Sequence, residues 1–494
     1  MLSKVRHWIL LVLIAFLPFH AFLVTVGTKL ILGPGHPPLV SLAIWKEALI
    51  VLFFLVAAFE LLQKRKRPKL DLPTGLVLAL LILSLLIPFV TRYEFETLSY
   101  VFGFKYLFLP LLLFVVCKSL SWDTDFLEKK VFHVLFFVGW FVVTLGTISL
   151  FLPLPFFTGL GYSAGHSLYS PDAPLSVFQY IAGTTIPRMQ STFAGPNQLG
   201  LWLLIPWSIT AVRLFRGQER KQNVLLLLFF GGALFLTFSR AAWIAAFIIL
   251  LVSFVLLLKG AVRKYAVAAT FATALFAVIV LALLTPQIFL RGISNQHHLA
   301  RLEEGFFTML REPLGHGLGA AGPASNKVSD ACVYFSDGAD TSWARARKDL
   351  CVFVGKEQVQ PPLPSEILEV REGELRPASQ PSSSARKCKC AFLPENWYLQ
   401  VGIELGILGF LLFITLILVT LEQLLVRGKK ATPSSLRVFL VFLGVSIASL
   451  FLHGWEDSAV AYSIWSMAGI ALTKREKKAA WFKDMICQLC CKKS

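Results

Sequence analysis

Arg188, Arg240, Arg301, Glu395 and His453 all fall at the ends of long apolar stretches of this chain or in the loops that join those ends on one expected face. Charge is expensive next to hydrocarbon, so ionisable groups at such places are few and tend to have work to do. A guanidinium presents a planar fork of N–H donors that grips a phosphate or diphosphate through two bonds at once. A carboxylate or imidazole beside such cations can take a proton from a hydroxyl. Each residue also has a plainer reading. Arg188 and Arg301 can meet lipid headgroups, Arg240 can cap a helix turn, Glu395 can sit at a helix N-terminus, and His453 can be interfacial. Several cations and a carboxylate on one membrane face make a stronger signal than any one of them. Other chemistries find no support in the sequence: it has no P-loop glycine run and no HExxH, and no GxSxG or Ser-His-Asp arrangement stands out.

The elements that must position these residues are membrane spans. Hydrophobic residues make up 56% of the 494-residue chain and charged residues only 15%, outside the soluble range. Twelve apolar segments stand out, at about 8–27, 39–61, 73–91, 100–117, 131–153, 197–214, 222–238, 240–258, 265–286, 397–423, 436–453 and 458–473. Most reach the ~20 residues needed to cross a bilayer core. Basic residues alternate about them. Lys4, Arg6, the run from Lys64 to Lys69, Lys118, Lys129, Lys130, Arg213, Arg216, Arg220, Lys221, Lys259, Arg263, Lys264, Arg427, Lys429, Lys430, Arg437 and the tail from Lys474 gather on one side. The short loops of the other side hold only Lys29, Arg92, Arg188 and Arg240. Positive residues stay cytoplasmic, so both termini are expected inside. The expected fold is all-α and polytopic, with about twelve transmembrane helices and a large outer loop between spans nine and ten. The net charge of +18 lies mostly at inner span ends, where topology and anionic lipid account for it without nucleic acid.

The organisation reads as spans one to nine over 1–286, an outer loop over 287–396, spans ten to twelve over 397–473, and a basic cytoplasmic tail over 474–494. Spans seven and eight nearly touch at Thr237-Phe238-Ser239-Arg240, a tight outer turn. A second outer loop, 154–196, is rich in Gly, Pro, Ser and aromatics. In the long loop thirteen Lys/Arg balance thirteen Asp/Glu, as in long translocated segments that escape the positive-inside bias. Loops of this size are usually functional or disordered. Leu299, Leu302, Phe306 and Leu310 fall at helical spacing, predicting an amphipathic helix over 296–311 on the outer surface. Residues 377–385 read as a flexible linker.

Cys332, Cys351, Cys388 and Cys390 share that loop, where an oxidising compartment permits two disulfides. A bridge between the near-adjacent Cys388 and Cys390 is the least favoured of the three pairings. No paired CxxC spacing supports zinc, and no metal is expected. Cys487, Cys490 and Cys491 in the tail read as reduced or lipidated thiols, and Cys117 as buried.

With the motifs in view, the chain resembles the O-antigen ligase and O-antigen polymerase superfamily of bacterial polytopic membrane proteins. Thr237-Phe238-Ser239-Arg240-Ala241-Ala242-Trp243 looks like its S-R signature. Arg301, with its amphipathic helix and Glu312-Pro313-Leu314-Gly315-His316-Gly317-Leu318-Gly319, resembles the family's outer-loop segment. Glu395-Asn396-Trp397-Tyr398-Leu399-Gln400, running on to Glu404-Leu405-Gly406-Ile407-Leu408-Gly409, is similar to its H-N-x-Y-L…E-x-G-x-x-G stretch. Gly195-Pro196-Asn197-Gln198 matches the usual lead into the sixth span. The motifs lie between residues 188 and 425. Two departures stand out: Glu395 occupies the place of the family's His, and a cysteine-bearing insertion at 323–393 exceeds the family core.

The resemblance implies a cofactor-free, ATP-independent glycosyltransferase of cell-envelope polysaccharide or lipopolysaccharide synthesis. It would move a glycan from an undecaprenyl diphosphate carrier to a lipid, glycan or protein acceptor at the outer face of the bacterial inner membrane. Arg240 and Arg301 would meet the diphosphate and Glu395 would be the base, with His453 as the other candidate. Arg188, Asn197, Asn396 and Tyr398 would contact substrate. A polymerase joining lipid-linked repeats is the alternative within the same chemistry. A lipid or glycan transporter is the alternative outside it, and would need polar residues through the bilayer midplane. The charges inside spans are few: Lys46, Glu47, Lys105 and Glu404.

Overall fold

Apolar runs that cannot leave backbone N–H and C=O groups unpaired in lipid have one local solution, the helix. The computed structural model describes residues 2–473 except 66–69, 92–95, 164–174, 177, 182–183, 285–291, 336–337, 339, 348–349, 356, 362–386 and 431–432. Arg92, the linker at 377–385 and the tail with Cys487, Cys490 and Cys491 lie outside the described residues.

The chain begins with α1 (Leu2–Phe16) and α2 (His20–Leu32), joined by a turn at Pro18, then a short α3 (Val40–Ala43) and α4 (Trp45–Gln63). Next come α5 (Leu72–Val90), α6 (Thr97–Ser119), α7 (Phe132–Ser149) and the short α8 (Leu154–Gly159). A two-residue antiparallel pair, β1 (Gln179–Tyr180) and β2 (Pro187–Arg188), leads into α9 (Pro196–Phe215), α10 (Arg220–Leu236), α11 (Arg240–Leu257) and α12 (Gly260–Leu284). The long loop holds α13 (Gly292–Arg311), α14 (Gly322–Asn326), β3 (Ala331–Phe335), α15 (Ser342–Ala346), β4 (Leu350–Val354) and β5 (Glu357–Gln360). The chain then closes with α16 (Trp397–Lys430), α17 (Pro433–Ala448) and α18 (Ser458–Leu472).

Helices thus occupy every apolar segment. Among the described residues seven are long and apolar enough to cross a membrane, and α17 and α18 are shorter apolar helices. The molecule is mostly helical, 72%. The all-α expectation gives way in the long loop, where β3 and β4 pair in parallel and β5 adds an antiparallel edge. Val333, Leu350 and Val352 bury a small apolar core of their own there, with Ala344 of α15. Short β-branched runs inside a polar loop carry too little periodicity to announce such a sheet.

α9 lies centrally, 72% of its apolar window buried, against α10, α11 and α17, while α18 runs along α6. Large apolar side chains on the outward faces stay uncovered, including Phe89 at 87% and Phe137 at 71% exposure. Exposure on that scale suits lipid as the surrounding solvent. Cations at the helix ends expected inside are neutralised locally. Arg6 meets Glu60 at 3.1 Å and the Ser121 carbonyl at 2.7 Å, and Arg437 meets Glu128. The charges inside the spans pair likewise: Glu47 lies 2.8 Å from Lys105 and 3.4 Å from Lys46, whose ammonium also meets His20 at 2.8 Å.

One helix is broken. Gly406 in α16 takes φ +71°, a left-handed conformation that glycine adopts without steric cost. The carbonyls of Ile403 and Glu404 accept instead from His316 N (2.8 Å) and Gly317 N (2.9 Å), and Ile407 N donates to the Pro313 carbonyl (3.0 Å). The Glu312–Gly319 segment therefore supplies the hydrogen bonds the break removes, the condition for irregular backbone beside a membrane. A Cβ on Gly406 would collide with the Pro313 carbonyl oxygen, so the sequence needs glycine there.

Candidate functional site

Two corners on one face of the bundle carry the candidate site. The first is the turn between α10 and α11. β2 lies across it: Met189 N donates to the Leu236 carbonyl, and Arg188 donates through Nε to the Thr237 carbonyl (2.9 Å) and through Nη2 to Asn197 Oδ1 (2.7 Å). Phe238 holds φ +49° at the apex, a conformation costly for an aromatic residue and kept by these bonds. Arg188 and Asn197, expected to contact substrate, instead bind one another and the turn. What the turn presents is Arg240, the first residue of α11. It is half-buried and, among the described residues, has no carboxylate or carbonyl partner. Ser239 beside it is buried with its hydroxyl unpartnered among the described residues. A helix N-terminus adds unpaired N–H groups and the positive end of the dipole, so the corner suits an anion.

The second corner is where α16 begins. Asn396 caps it: Oδ1 accepts from Leu399 N (3.0 Å) and Nδ2 donates to the Leu450 carbonyl (2.9 Å). Tyr398 donates to the Ser446 carbonyl at 2.7 Å and is 5% exposed. Both were expected to touch substrate; both tie α16 to the end of α17. Glu395, just before the cap, holds φ +52°. One carboxylate oxygen takes Arg301 Nη1 and the other takes His298 Nδ1, both from α13. The carboxylate expected to act as base is thus the clamp that fastens the amphipathic helix over α16. Seen along its spacing, that helix turns Leu302 and Met309 inward and leaves Arg301 half-exposed.

His453 lies in the loop between α17 and α18. Its Nδ1 meets Gln400 Oε1 at 2.7 Å, while Nε2 is shielded and has no partner among the described residues. Burial, helped by the nearby Arg301 charge, pushes the imidazole down to about 4. His453 is therefore neutral at pH 7. Its loop neighbour Glu456 goes the other way: burial, with Glu404 and Asp457 nearby, raises its carboxyl well above the usual range.

The two corners adjoin. A Cβ on Gly454, next to His453, would lie 3.5 Å from Leu201 of α9. One on Gly200, the residue before Leu201, would lie 3.2 Å from Ser239, the residue before Arg240. Trp397 N donates to the Ser449 carbonyl at 3.0 Å, closing the group from the α16 side. His453 feels the Arg301 charge and Arg301 pairs with Glu395, while Arg240 stands at the neighbouring corner, joined to them through α9. Gln400 is the member that sequence reasoning missed; its position one turn before Glu404 on α16 is the only cue the sequence offers.

Over this face sits the sheet of the long loop. β3 and β4 place Cys332 opposite Cys351, and the two reach separate partners: Cys332 bonds Cys390 and Cys351 bonds Cys388, with Cα separations of 5.7 and 6.1 Å. Cys117 is free and buried. Lys389, between the two bridged residues, pairs with Glu96 at the head of α6. The chain matches no model of a known protein family and no curated protein.

Proposed function

We propose that the protein is a polytopic membrane glycosyltransferase that moves a glycan from an undecaprenyl diphosphate carrier to an acceptor hydroxyl, without ATP, at the outer face of the bacterial inner membrane. The observation that carries this reading is a half-buried Arg240 at a helix N-terminus, without a partner among the described residues, beside a neutral His453 whose shielded Nε2 likewise has none there. A glycosyl diphosphate is already activated. The acceptor oxygen forms its bond to the anomeric carbon as the carbon–phosphate oxygen bond breaks. The diphosphate departs on its lipid, its growing charge met by Arg240 and by the free part of the Arg301 fork. The acceptor proton passes to His453 Nε2. His453 takes the role first expected of Glu395, because that carboxylate is paired with Arg301 of α13. The local pairing of Lys46, Glu47 and Lys105 favours this chemistry over transport, since it leaves these charges satisfied among themselves.

The reading includes twelve spans with both termini cytoplasmic. Reporter fusions after residues 70, 220, 262 and 432 are expected to report the cytoplasm, and fusions at 170 and 350 the outside. A cytoplasmic report at 350 would put Arg301 and Glu395 in the wrong compartment. The activity itself is tested by incubating the purified protein with a lipid-linked oligosaccharide and lipid, glycan or peptide acceptors in the absence of ATP. Glycosylated acceptor and free diphosphate-lipid are expected. An unchanged donor with every acceptor class, a second lipid-linked glycan included, would refute the proposal.

A further inference from the structure

We infer that Gln400, backed by the backbone at Gly322, is a positioning residue that fixes the proton of His453 on Nδ1 and so keeps Nε2 available to accept one. The inference rests on the transfer reading above with His453 as base. It begins from a buried amide in contact with the ring. Gln400 is 1% exposed. Its Oε1 lies 2.7 Å from His453 Nδ1, and a carbonyl-type oxygen only accepts, so Nδ1 must carry the hydrogen. Gln400 stands one turn before Glu404 on the same face of α16.

Glu404 is itself fixed, because its Oε1 accepts Gly319 N at 3.0 Å. The glycine-rich segment closes the remaining side. Gly322 takes φ +71°, and a Cβ there would run into all three terminal atoms of the Gln400 amide. Backbone of the outer loop thus lies flat on the amide with no room for a side chain. The backbone at Gly322 thus backs the amide whose Oε1 meets Nδ1 of His453, and the other ring nitrogen has no partner among the described residues. An orphaned acceptor in a shielded place is costly to keep; a hydroxyl arriving to be deprotonated would satisfy it. The arrangement has the logic of a base oriented by a third group, here a neutral amide.

The test labels the histidines of the full-length protein with nitrogen-15 and identifies His453 by the signal lost in His453→Gln. The wild type is expected to show a neutral His453 ring protonated on Nδ1 across neutral pH. Gln400→Leu removes the acceptor. It is expected to shift the ring toward the other tautomer and to lower kcat by about tenfold to a hundredfold, as loss of an orienting partner does elsewhere, with KM for the lipid-linked donor unchanged. Gln400→Glu restores an acceptor and adds negative charge, which favours the imidazolium. Transfer at high pH should recover toward wild type, and the acid limb of its pH profile should move up. A wild-type ring protonated on Nε2 overturns the inference. So does a Gln400→Leu protein with wild-type kcat and tautomer, or a Gln400→Glu protein whose acid limb does not move. If Gln400→Leu fails to fold, the wild-type spectrum and the Gln400→Glu profile still decide. A wild type with no transfer activity would remove the transferase reading alone, since the tautomer is read on the ring itself.

Discussion

Arg240→Lys is expected to insert, fold and accumulate as the wild type does, yet to lose about a hundredfold to a thousandfold in glycan transfer, the scale seen when one preorganised donor to a developing charge is removed. The turn that carries Arg240 is held by other groups: Arg188 on the Thr237 carbonyl and Asn197, and Met189 N on the Leu236 carbonyl. The Arg240 side chain contributes no hydrogen bond to that turn among the described residues, so the fold does not depend on its fork. Lysine keeps the positive charge but offers a single point where the guanidinium offers two parallel donors to a diphosphate. The loss should fall on kcat, because charge on the leaving diphosphate grows toward the transition state. Wild-type transfer by Arg240→Lys would show that only net charge matters at this corner. Arg301→Lys should cost less through the diphosphate and more through stability, since Arg301 also clamps Glu395.

His453→Ala is expected to lower kcat by about a hundredfold to ten-thousandfold, the usual worth of a general base. Glu395→Gln should be milder, loosening α13 over α16 without removing the proton acceptor. The pH profile separates the two further. A free histidine near 6.5 would lose activity between pH 7 and 6. His453 lies at about 4, so kcat/KM should stay level from pH 8 to about 5 and fall only as the ring gains its proton near 4. The stability sign follows the same shift. Between 6.5 and 4 the unfolded chain binds a proton that the folded ring refuses, so the contribution is complete above 6.5 and is lost as pH falls through 4. An acid limb near 6.5, or full activity in His453→Ala together with loss in Glu395→Gln, would return the base to Glu395.

Much of the frame could be read in the residues because its signals are local. The tight turn at Thr237-Phe238-Ser239 appears where two apolar runs nearly touch, with α10 ending at Leu236 and α11 starting at Arg240. The amphipathic spacing of Leu299, Leu302, Phe306 and Leu310 became α13, four residues longer at its start than the 296–311 expected. The four loop cysteines formed two bridges, with no bond between Cys388 and Cys390.

What escaped depends on partners far apart in the chain. Glu404 and Gly319 are 85 residues apart, and Arg301 and Glu395 are 94. Glu395 reads as a base while its partners are unknown, and as a clamp once α13 lies over it. Asn396 and Tyr398 read as ligands for the same reason, until Leu450 and Ser446 take their polar atoms. The break at Gly406 is equally silent in an apolar run, because the bonds that allow it come from Pro313, His316 and Gly317.

The most direct measurement places the purified protein in sealed vesicles, with lipid-linked glycan and a water-soluble acceptor supplied to the outer-loop side and no nucleotide present. The account predicts one diphosphate-lipid released for each glycan joined to acceptor, both products on the side where the substrates were given. It predicts the same stoichiometry at a much lower rate for Arg240→Lys and His453→Ala. Intact donor recovered in the opposite leaflet or lumen, with its glycan–diphosphate bond unbroken, would contradict the account and make the protein a transporter.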